Sequence, residues 1–165
     1  MILPGKIEFR AIHASDEGFL LGLYASSREW EFQHTLWEEA KKQAFLNSQY
    51  QLQDRHYKQV YLGAIYEIIQ LDGVDIGRLS VQRRADEIRI MDLILLPAYQ
   101  GRGIGQSILQ NLVHEAQGGK VPVTLHVEQG NPAMQLYLRL GFRQTGVSGQ
   151  HIAMAWQPDL TPREI

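Results

Sequence analysis

The chain has 165 residues, of which 44% are hydrophobic and 21% charged, and its formal net charge is −2. This size and composition fit one globular domain with a buried core. The near-neutral charge gives no support for nucleic-acid binding. The absence of cysteine excludes disulfides, thiolate chemistry and cysteine-ligated zinc. Because no run of about 18 uncharged apolar residues occurs, we expect a soluble, cytoplasmic protein with no membrane partner.

The first third of the chain predicts a strand followed by two helices. Alternation in "KIEFRAI" is typical of a strand, and a helix follows with Ser15 or Asp16 as its N-cap. A second helix is predicted from Thr35, which forms a capping box with Glu38. The predicted apolar face of the first helix contains Phe19, Leu20, Leu23 and Tyr24, and that of the second contains Leu36, Ala40, Ala44 and Phe45.

The middle of the chain predicts three further strands. Two β-rich runs flank the pair Asp72-Gly73, which is a strong hairpin signal. The third run, "DEIRIMDLILLP", stops at Pro97, because proline cannot donate to a sheet ladder. Its central part is apolar on both faces, as expected of a strand that is covered on two sides.

The stretch "YQGRGIGQ" directly after this strand has glycine at every second position, at Gly101, Gly103 and Gly105. A helix is predicted to begin here, so its free N–H groups and the positive end of its dipole face the turn. Glycine lets an anion reach those N–H groups, and Arg102 adds positive charge. The alternative is that the glycines only allow close packing of the helix. The stretch lacks the Gly-Lys-Ser/Thr ending of nucleotide triphosphatases, and Gln106 replaces the last glycine of G-x-G-x-x-G.

The remaining third predicts helix, strand, short helix and two strands. The long helix ends at the glycine pair 118–119, and "VPVTLHVE" then predicts a strand with Thr124, His126 and Glu128 on the face opposite the core. The segment "NPAMQLYLRLGF" predicts the short helix. We therefore expect an α/β (α+β) fold, with helices on both faces of a mixed sheet. The predicted apolar face of the long helix contains Ile104, Ile108, Leu109, Leu112, Val113 and Ala116.

Two segments resemble the GNAT family, the Gcn5-related N-acetyltransferases. "LLPAYQGRGIGQSIL" resembles the family motif Q/R-x-x-G-x-G/A, with Gln100, Gly103 and Gly105 in the defining places, and "NPAMQLYLRLGF" resembles the family's downstream segment. The resemblance implies a single domain over residues 1–165, with a core at about 7–157 and a loose tail at 158–165. It also implies a twisted, mostly antiparallel sheet of about seven strands, splayed between strands 4 and 5, with about four helices.

The function implied by the resemblance is transfer of an acetyl group from acetyl-CoA to a primary amine of a small molecule or peptide, directly and without a metal. A catalytically silent acyl-CoA-binding or sensor module is the alternative. Homodimers are common among relatives. Implied contacts to the coenzyme's pyrophosphate come from the turn that contains Gln100, Gly101, Arg102, Gly103, Ile104, Gly105 and Gln106.

The resemblance also implies that the pantetheine arm pairs with the strand before the turn, along Ile94, Leu95 and Leu96, where the family has a bulge. The residues give one faint hint of such a bulge. Up to Ile90 the apolar residues fall on one face of the strand, whereas Leu93 falls on the other face, as expected if a bulge lies between them.

By resemblance, Asn131 contacts the coenzyme arm, and Tyr137 is the general acid near the coenzyme sulfur. A phenol with a pKa near 10 can protonate a thiolate of similar basicity. His126 is the candidate general base, because a histidine accepts a proton directly or through water. Glu128 on the same strand face is the weaker alternative, and Asp92 and Glu67 are weaker still. Core packing for Tyr137 and an ordinary exposed strand position for His126 are the structural alternatives. The sequence does not identify the acceptor.

Overall fold

The computed structural model describes residues 5–162, which contain seven strands and four α-helices. The elements are β1 (Ile7–Ala11), α1 (Glu17–Ser27), α2 (Glu39–Val60), β2 (Ile65–Leu71), β3 (Val74–Arg83), β4 (Ile88–Leu95), α3 (Ile104–Gly119), β5 (Val123–Glu128), α4 (Met134–Arg139), β6 (Arg143–Ser148) and β7 (His151–Trp156). The sheet order is β1-β2-β3-β4-β5-β7-β6. Strands β4 and β5 run parallel, and the β1–β2, β5–β7 and β6–β7 pairs run antiparallel. The predicted mixed, mostly antiparallel sheet is confirmed.

Residue contacts divide the chain into two compact units. The first runs to Ser80 and also contains Asp92–Ile104, and the second contains Val81–Met91 and the chain from Gly105 onward. Strands β3 and β4 therefore contribute residues to both units. The predicted hairpin is present between β2 and β3, in the first unit. Its central residues Asp72 and Gly73 have φ of 51° and 80°, the left-handed pair that a tight hairpin turn requires.

The core of the first unit lies where α1 and α2 meet. The rings of Tyr24 and Tyr50 contact each other edge to face, with centroids 5.6 Å apart. Leu20, Leu46 and Ile68 complete this buried cluster. Edge-to-face aromatic pairs contribute to stability beyond their buried area, so this contact helps to hold the two helices together.

An ion-pair network connects β1, the start of α1 and β3 in the same unit. The guanidinium of Arg10 donates to both carboxylate oxygens of Asp16 at 2.9 Å and to Asp75 at 2.7 and 3.2 Å. These bonds hold the pKa of both carboxyl groups below the ordinary range. Asp16 is the N-cap of α1, as expected, but its carboxylate accepts from Arg10 and the His13 N–H rather than from the helix.

The prediction for the second helix was wrong at its start and in its buried face. Helix α2 begins at Glu39, because Thr35 instead closes the preceding turn, where its N–H and its hydroxyl both donate to the carbonyl of Phe32. The buried residues of α2 are Leu46 and Tyr50. The residues of the predicted apolar face are all exposed: Leu36, Ala40, Ala44 and Phe45. Leu36 also lies before the start of the helix.

The predicted face of α3 is confirmed, with five of its members buried and Val113 partly exposed. The helix ends differently from the prediction. It includes Gly118 and Gly119, and the left-handed residue after it is Lys120, with φ of 54°. The Val121 N–H donates to the Ala116 carbonyl at 3.0 Å, which is the bond of a Schellman end.

Part of the predicted loose tail is anchored to α3. The side chain of Gln117 donates to the Asp159 carbonyl at 2.8 Å and accepts from the Asp159 N–H at 2.9 Å. The Asp159 carboxylate in turn accepts from the Thr161 N–H. The last residues of the tail, 163–165, lie outside the described residues, as do residues 1–4 at the start of the predicted domain.

We predict that Gly77→Ala destabilises the protein by about 1–3 kcal/mol. A Cβ at Gly77 in β3 would overlap the carbonyl oxygen of Ile94, a backbone atom held in the neighbouring strand. The measurement is the free energy of unfolding in urea. Gly22→Ala in α1 is the control, because its Cβ meets no atom within 4 Å and it should stabilise the helix by about 0.5–1 kcal/mol. Equal stability of Gly77→Ala and the wild type would contradict the prediction.

Candidate active site

The turn between β4 and α3 adopts a conformation that requires glycine at two positions. Gly101 and Gly103 have φ of 74° and 83°, in the left-handed region that disfavours other residues. A Cβ placed on Gly101 would meet nothing within 4 Å, so the requirement there comes from the backbone angle and not from crowding. The third glycine, Gly105, differs from the other two because it is the second residue of α3.

Side chains of the turn fold back onto the turn itself. The Gln100 amide donates to the Leu95 carbonyl at 3.0 Å, which closes the loop across the end of β4. The Arg102 guanidinium lies over the ring of Tyr99, 5.2 Å from its centroid. The turn is therefore held by Gln100, while the N–H groups at the start of the 16-residue α3 lack helical acceptors.

Strand β4 pairs with β5 over a short distance. Within residues 5–162, the register between them covers Ile88 with Val123 and Arg89 with Thr124. At its C-terminal end β4 is still hydrogen-bonded to β3, since the Leu96 N–H just after the strand donates to the Ile76 carbonyl at 2.8 Å. Because successive residues of a strand direct their backbone groups to opposite sides, the N–H and carbonyl of Leu95 point away from β3.

The parity change expected along β4 is not observed. Burial alternates through Ile88, Ile90 and Asp92 without a shift, and the three residues that follow are partly exposed. Apolar residues alone do not mark the buried face of β4, because Asp92 occupies the buried position next to Leu93. The bulge itself stays a prediction.

The predicted two-faced pattern of β5 is confirmed, since Val123, Leu125 and Val127 are buried and His126 is exposed. The Nδ1 atom of His126 accepts a hydrogen bond from Arg89 Nη2 at 2.6 Å. In the neutral ring the proton then resides on Nε2, so no lone pair remains free.

The pKa of His126 is lowered from its ordinary value. The surrounding protein partly desolvates the exposed ring, and the charges of Arg89 and His151 oppose its protonation. The environment thus keeps the imidazole neutral, which a base requires. It also occupies the lone pair that would accept a proton, so His126 could act as a base only after losing the Arg89 bond.

Glu128 and Asn131 are close together at the end of β5. The Asn131 amide donates to Glu128 Oε2 at 3.4 Å, and its oxygen accepts from the Ala133 N–H at 2.9 Å. Glu128 Oε1 also lies 4.0 Å from His151 Nε2. The structure therefore brings Glu128, Asn131 and His151 into one polar group, in which the Asn131 oxygen already stabilises the turn before α4.

Tyr137 lies on α4 and is 8% exposed. Its ring packs against Phe142 with centroids 5.8 Å apart, and its carbonyl accepts from the Phe142 N–H at 3.1 Å. The predicted short helix and the glycine after it, Gly141 with φ of 95°, are both present. Tyr137 is thus rigidly placed, which suits either a core residue or a positioned acid.

A sequence profile described as "Acetyltransferase (GNAT) domain" matches residues 59–144, just over half of the chain, including the glycine turn and Tyr137. The chain belongs to the GNAT acetyltransferase family. The resemblance identified from the two sequence motifs is confirmed.

Two curated GNAT relatives are similar over shorter segments. N-alpha-acetyltransferase RimI of Mycobacterium tuberculosis is 34% identical over 67 residues, which are 41% of this chain and 42% of the relative. Ribosomal protein bS18-alanine N-acetyltransferase of Haemophilus influenzae is 32% identical over 73 residues, which are 44% of this chain and 50% of the relative. The matched region spans half or less of the length of these relatives.

Solved structures share the fold over nearly the whole chain. PaiA N-acetyltransferase of Thermoplasma acidophilum, in a crystal structure with coenzyme A, has a TM-score of 0.68 at 20% identity, covering 92% of this chain and 99% of that chain. The ribosomal-protein-S18-alanine N-acetyltransferase of Escherichia coli has a TM-score of 0.60 at 16% identity, covering 97% and 99%. At these identities the comparison establishes the fold alone.

Sequence reasoning names Asp92 only as a weak candidate base and misses the buried polar residues of β3 in this GNAT chain. Arg78, Ser80 and Gln82 follow one face of β3, and all three are buried together with Asp92 of β4. Arg78 Nε donates to Ser80 Oγ at 3.1 Å and lies 3.8 Å from Asp92 Oδ2. A signal was present, because polar residues at every second position of an otherwise apolar central strand are unusual.

Across residues 5–162, no three His, Asp or Glu side chains come close enough to hold a metal ion. Within that same range, each helix is too short or too polar to cross a membrane.

We predict that the pKa of His126 lies below 6.5 and rises when Arg89 is replaced by Gln. Removing the neighbouring cation removes its repulsion of the imidazolium ion, so protonation becomes easier. NMR titration of the histidine Cε1–H signals measures this pKa. Arg139→Gln, which removes an exposed cation of the last turn of α4, is the control and should leave it unchanged. An unshifted His126 signal in Arg89→Gln would show that the observed contact has no electrostatic effect.

Proposed function

We propose that this GNAT chain is an acetyl-CoA-dependent N-acetyltransferase that acts on a primary amine of a small molecule or peptide. The observation that carries the proposal is the turn from Gln100 to Ile104, which holds the family's coenzyme motif in a left-handed conformation at the start of a long helix. Similar curated proteins are named as N-acetyltransferases, which supports the same reaction type.

The residues of the turn fit a diphosphate. The open space beside Gly101 gives an anion access to the backbone, and the start of α3 offers N–H groups and the positive end of its dipole. We assign pyrophosphate binding to Gln100–Gln106, with Arg102 as a mobile cation. Bound acetyl-CoA would supply the activated acetyl thioester.

Strand β4 fits the pantetheine arm. Leu95 directs its N–H away from β3, while Leu96 already uses its N–H on Ile76. The Leu95 carbonyl accepts from Gln100, which leaves the Leu95 N–H as the donor that we assign to the thioester oxygen. Ile94 and Leu96 flank this position.

We assign the role of general acid to the Tyr137 hydroxyl, which would give its proton to the departing thiolate. Asn131 has an N–H beyond the one it donates to Glu128, and we assign that donor to the coenzyme arm. The base is His126 or Glu128. The Arg89 bond weakens the case for His126, and His126→Ala decides between them by shifting the acid limb of the pH–rate profile only if His126 is the base.

Replacing Gly103 by alanine should lower the affinity for acetyl-CoA at least about tenfold, because a left-handed alanine costs about 1–2 kcal/mol and its methyl group narrows the approach to the turn. Isothermal titration calorimetry measures the affinity. Gly118→Ala is the control, since this residue of α3 has no positive φ and open space for a Cβ. Wild-type affinity of Gly103→Ala would argue against a coenzyme site at this turn.

Replacing Tyr137 by phenylalanine should lower kcat at least about 100-fold, with little change in acetyl-CoA affinity, because the substitution removes only the proton donor. Release of free coenzyme A against a panel of amines and N-terminal peptides measures turnover and tests the proposed reaction. Tyr61→Phe is the control. Unchanged turnover would remove Tyr137 from the mechanism, and tight binding without turnover on any amine would favour the sensor alternative.

A further inference from the structure

A cavity of about 470 Å³ lies in the first unit, apart from the residues assigned above. It is lined by the end of β1 and the turn after it, by α1 and α2, and by one residue each of β2 and β3. The polar residues that decide its chemistry are Tyr50 on α2, Tyr66 on β2 and Arg78 on β3. Neither the coenzyme motif nor the proposed acid and base account for these residues.

Arg78 is a buried cation with donors to spare. It is 6% exposed, its Nε donates to Ser80 Oγ at 3.1 Å, and its guanidinium also donates to the Tyr50 hydroxyl. The nearest carboxylate oxygen, Asp92 Oδ2, lies 3.8 Å from Nε, beyond hydrogen-bond distance. A guanidinium has five N–H donors, and buried donors are normally satisfied. The residue therefore has capacity for an acceptor from the cavity.

The ion pair between Arg78 and its counter-ion Asp92 is weak. Asp92 is itself buried, which raises its pKa, although Arg78 and its hydrogen bonds oppose that shift. Its Oδ2 atom has no hydrogen-bond partner in the described part of the chain. A carboxylate that entered the cavity and bonded to Arg78 through two oxygens would make the stronger pair.

Tyr66 supplies a second unused donor. Its hydroxyl is buried and has no hydrogen-bond partner among residues 5–162. Burial also raises the pKa of this phenol, so the hydroxyl stays protonated and can donate a hydrogen bond to an acceptor in the cavity. The Arg78 guanidinium lies 5.6 Å from the centroid of the Tyr66 ring, which places both residues at the same part of the cavity.

The other charged residues of the cavity are already matched. Lys58 donates to Asp54 at 3.0 Å, and Gln51 donates to Glu17 at 3.2 Å. Glu17 and Lys58 are exposed, where water satisfies them at little cost. Among the described lining residues, the buried polar group without a partner is thus the Tyr66 hydroxyl. Together with the remaining N–H groups of the Arg78 guanidinium, it favours an anionic acceptor group over a cation.

We propose that this cavity binds a carboxylate of the amine acceptor through Arg78 and Tyr66. The inference rests on the proposed N-acetyltransferase function and narrows its substrate class to amines that carry a carboxylate. The carboxylate could come from a small amino acid or from an acidic side chain of a peptide. Both sources present the same planar pair of oxygens, which matches the fork of a guanidinium.

The test compares amines in matched pairs that differ only in the carboxylate. The small pair is γ-aminobutyrate and its carboxamide, and the peptide pair is a tetrapeptide that begins Ala-Asp and its Ala-Asn counterpart. Coenzyme A release gives kcat/KM, and thermal shift in the presence of coenzyme A gives binding without turnover. We expect the carboxylate member of at least one pair to be preferred at least about tenfold, as loss of a charged hydrogen bond implies. The pair that shows the preference identifies the source.

Variants of the lining residues test whether the carboxylate preference comes from the cavity. Arg78→Gln should abolish it, and Tyr66→Phe should reduce it, while Arg55→Gln, an exposed arginine of α2 outside the lining, should retain it. If Arg78→Gln fails to fold because Asp92 is left without its cation, the double variant Arg78→Gln/Asp92→Asn replaces it, since both charges are then removed.

Equal use of both members of each pair, or a preference that survives in the Arg78 variant, would overturn the inference while leaving the proposed function in place. Acetylation of none of the amines, with acetyl-CoA still bound, would count against the proposed function instead. The thermal shift then tests carboxylate binding in the cavity separately. Stabilisation by the carboxylate members in the wild type but not in Arg78→Gln supports this binding, and stabilisation by neither member rejects it.

Discussion

The short pairing of β4 with β5 is the constraint on which the candidate site depends. Register between the two strands covers Ile88 and Arg89, whereas β4 remains bonded to β3 as far as Leu96. Backbone N–H and carbonyl groups need partners, and the Leu95 N–H, which points away from β3, suits an acceptor on an added extended group. The glycine turn follows immediately, so the same strand presents a backbone edge and then the turn to which we assign the pyrophosphate.

The central strands also carry buried polar residues. Arg78 and Asp92 occupy positions where an apolar pair would usually be at least as stable, because charges lose their hydration when buried. Their retention is explained if Arg78 serves a ligand. In the second unit, partial burial of the His126 ring lowers its pKa, and the neighbouring Arg89 charge lowers it further.

Local signals predicted the elements well where one short segment decides its own conformation. Asp72-Gly73 specified the hairpin, and the apolar spacing of α3 specified its buried face. The prediction failed at Thr35, whose hydroxyl bonds to Phe32 rather than capping α2, and at Lys120, which takes the left-handed position expected of glycine. At Thr35 a competing contact that sequence spacing does not contain decided the outcome.

For the site, the sequence by itself determined the family, the glycine turn and the order of β4, α3, β5 and α4, because these depend on backbone angles and on spacing along the chain. Only the tertiary structure decided which polar groups meet: Arg89 with His126, Asn131 with Glu128, and Arg78 with Asp92. The Arg89 and Arg78 contacts join residues on different strands. Their distances depend on strand register and side-chain burial, which no local pattern specifies.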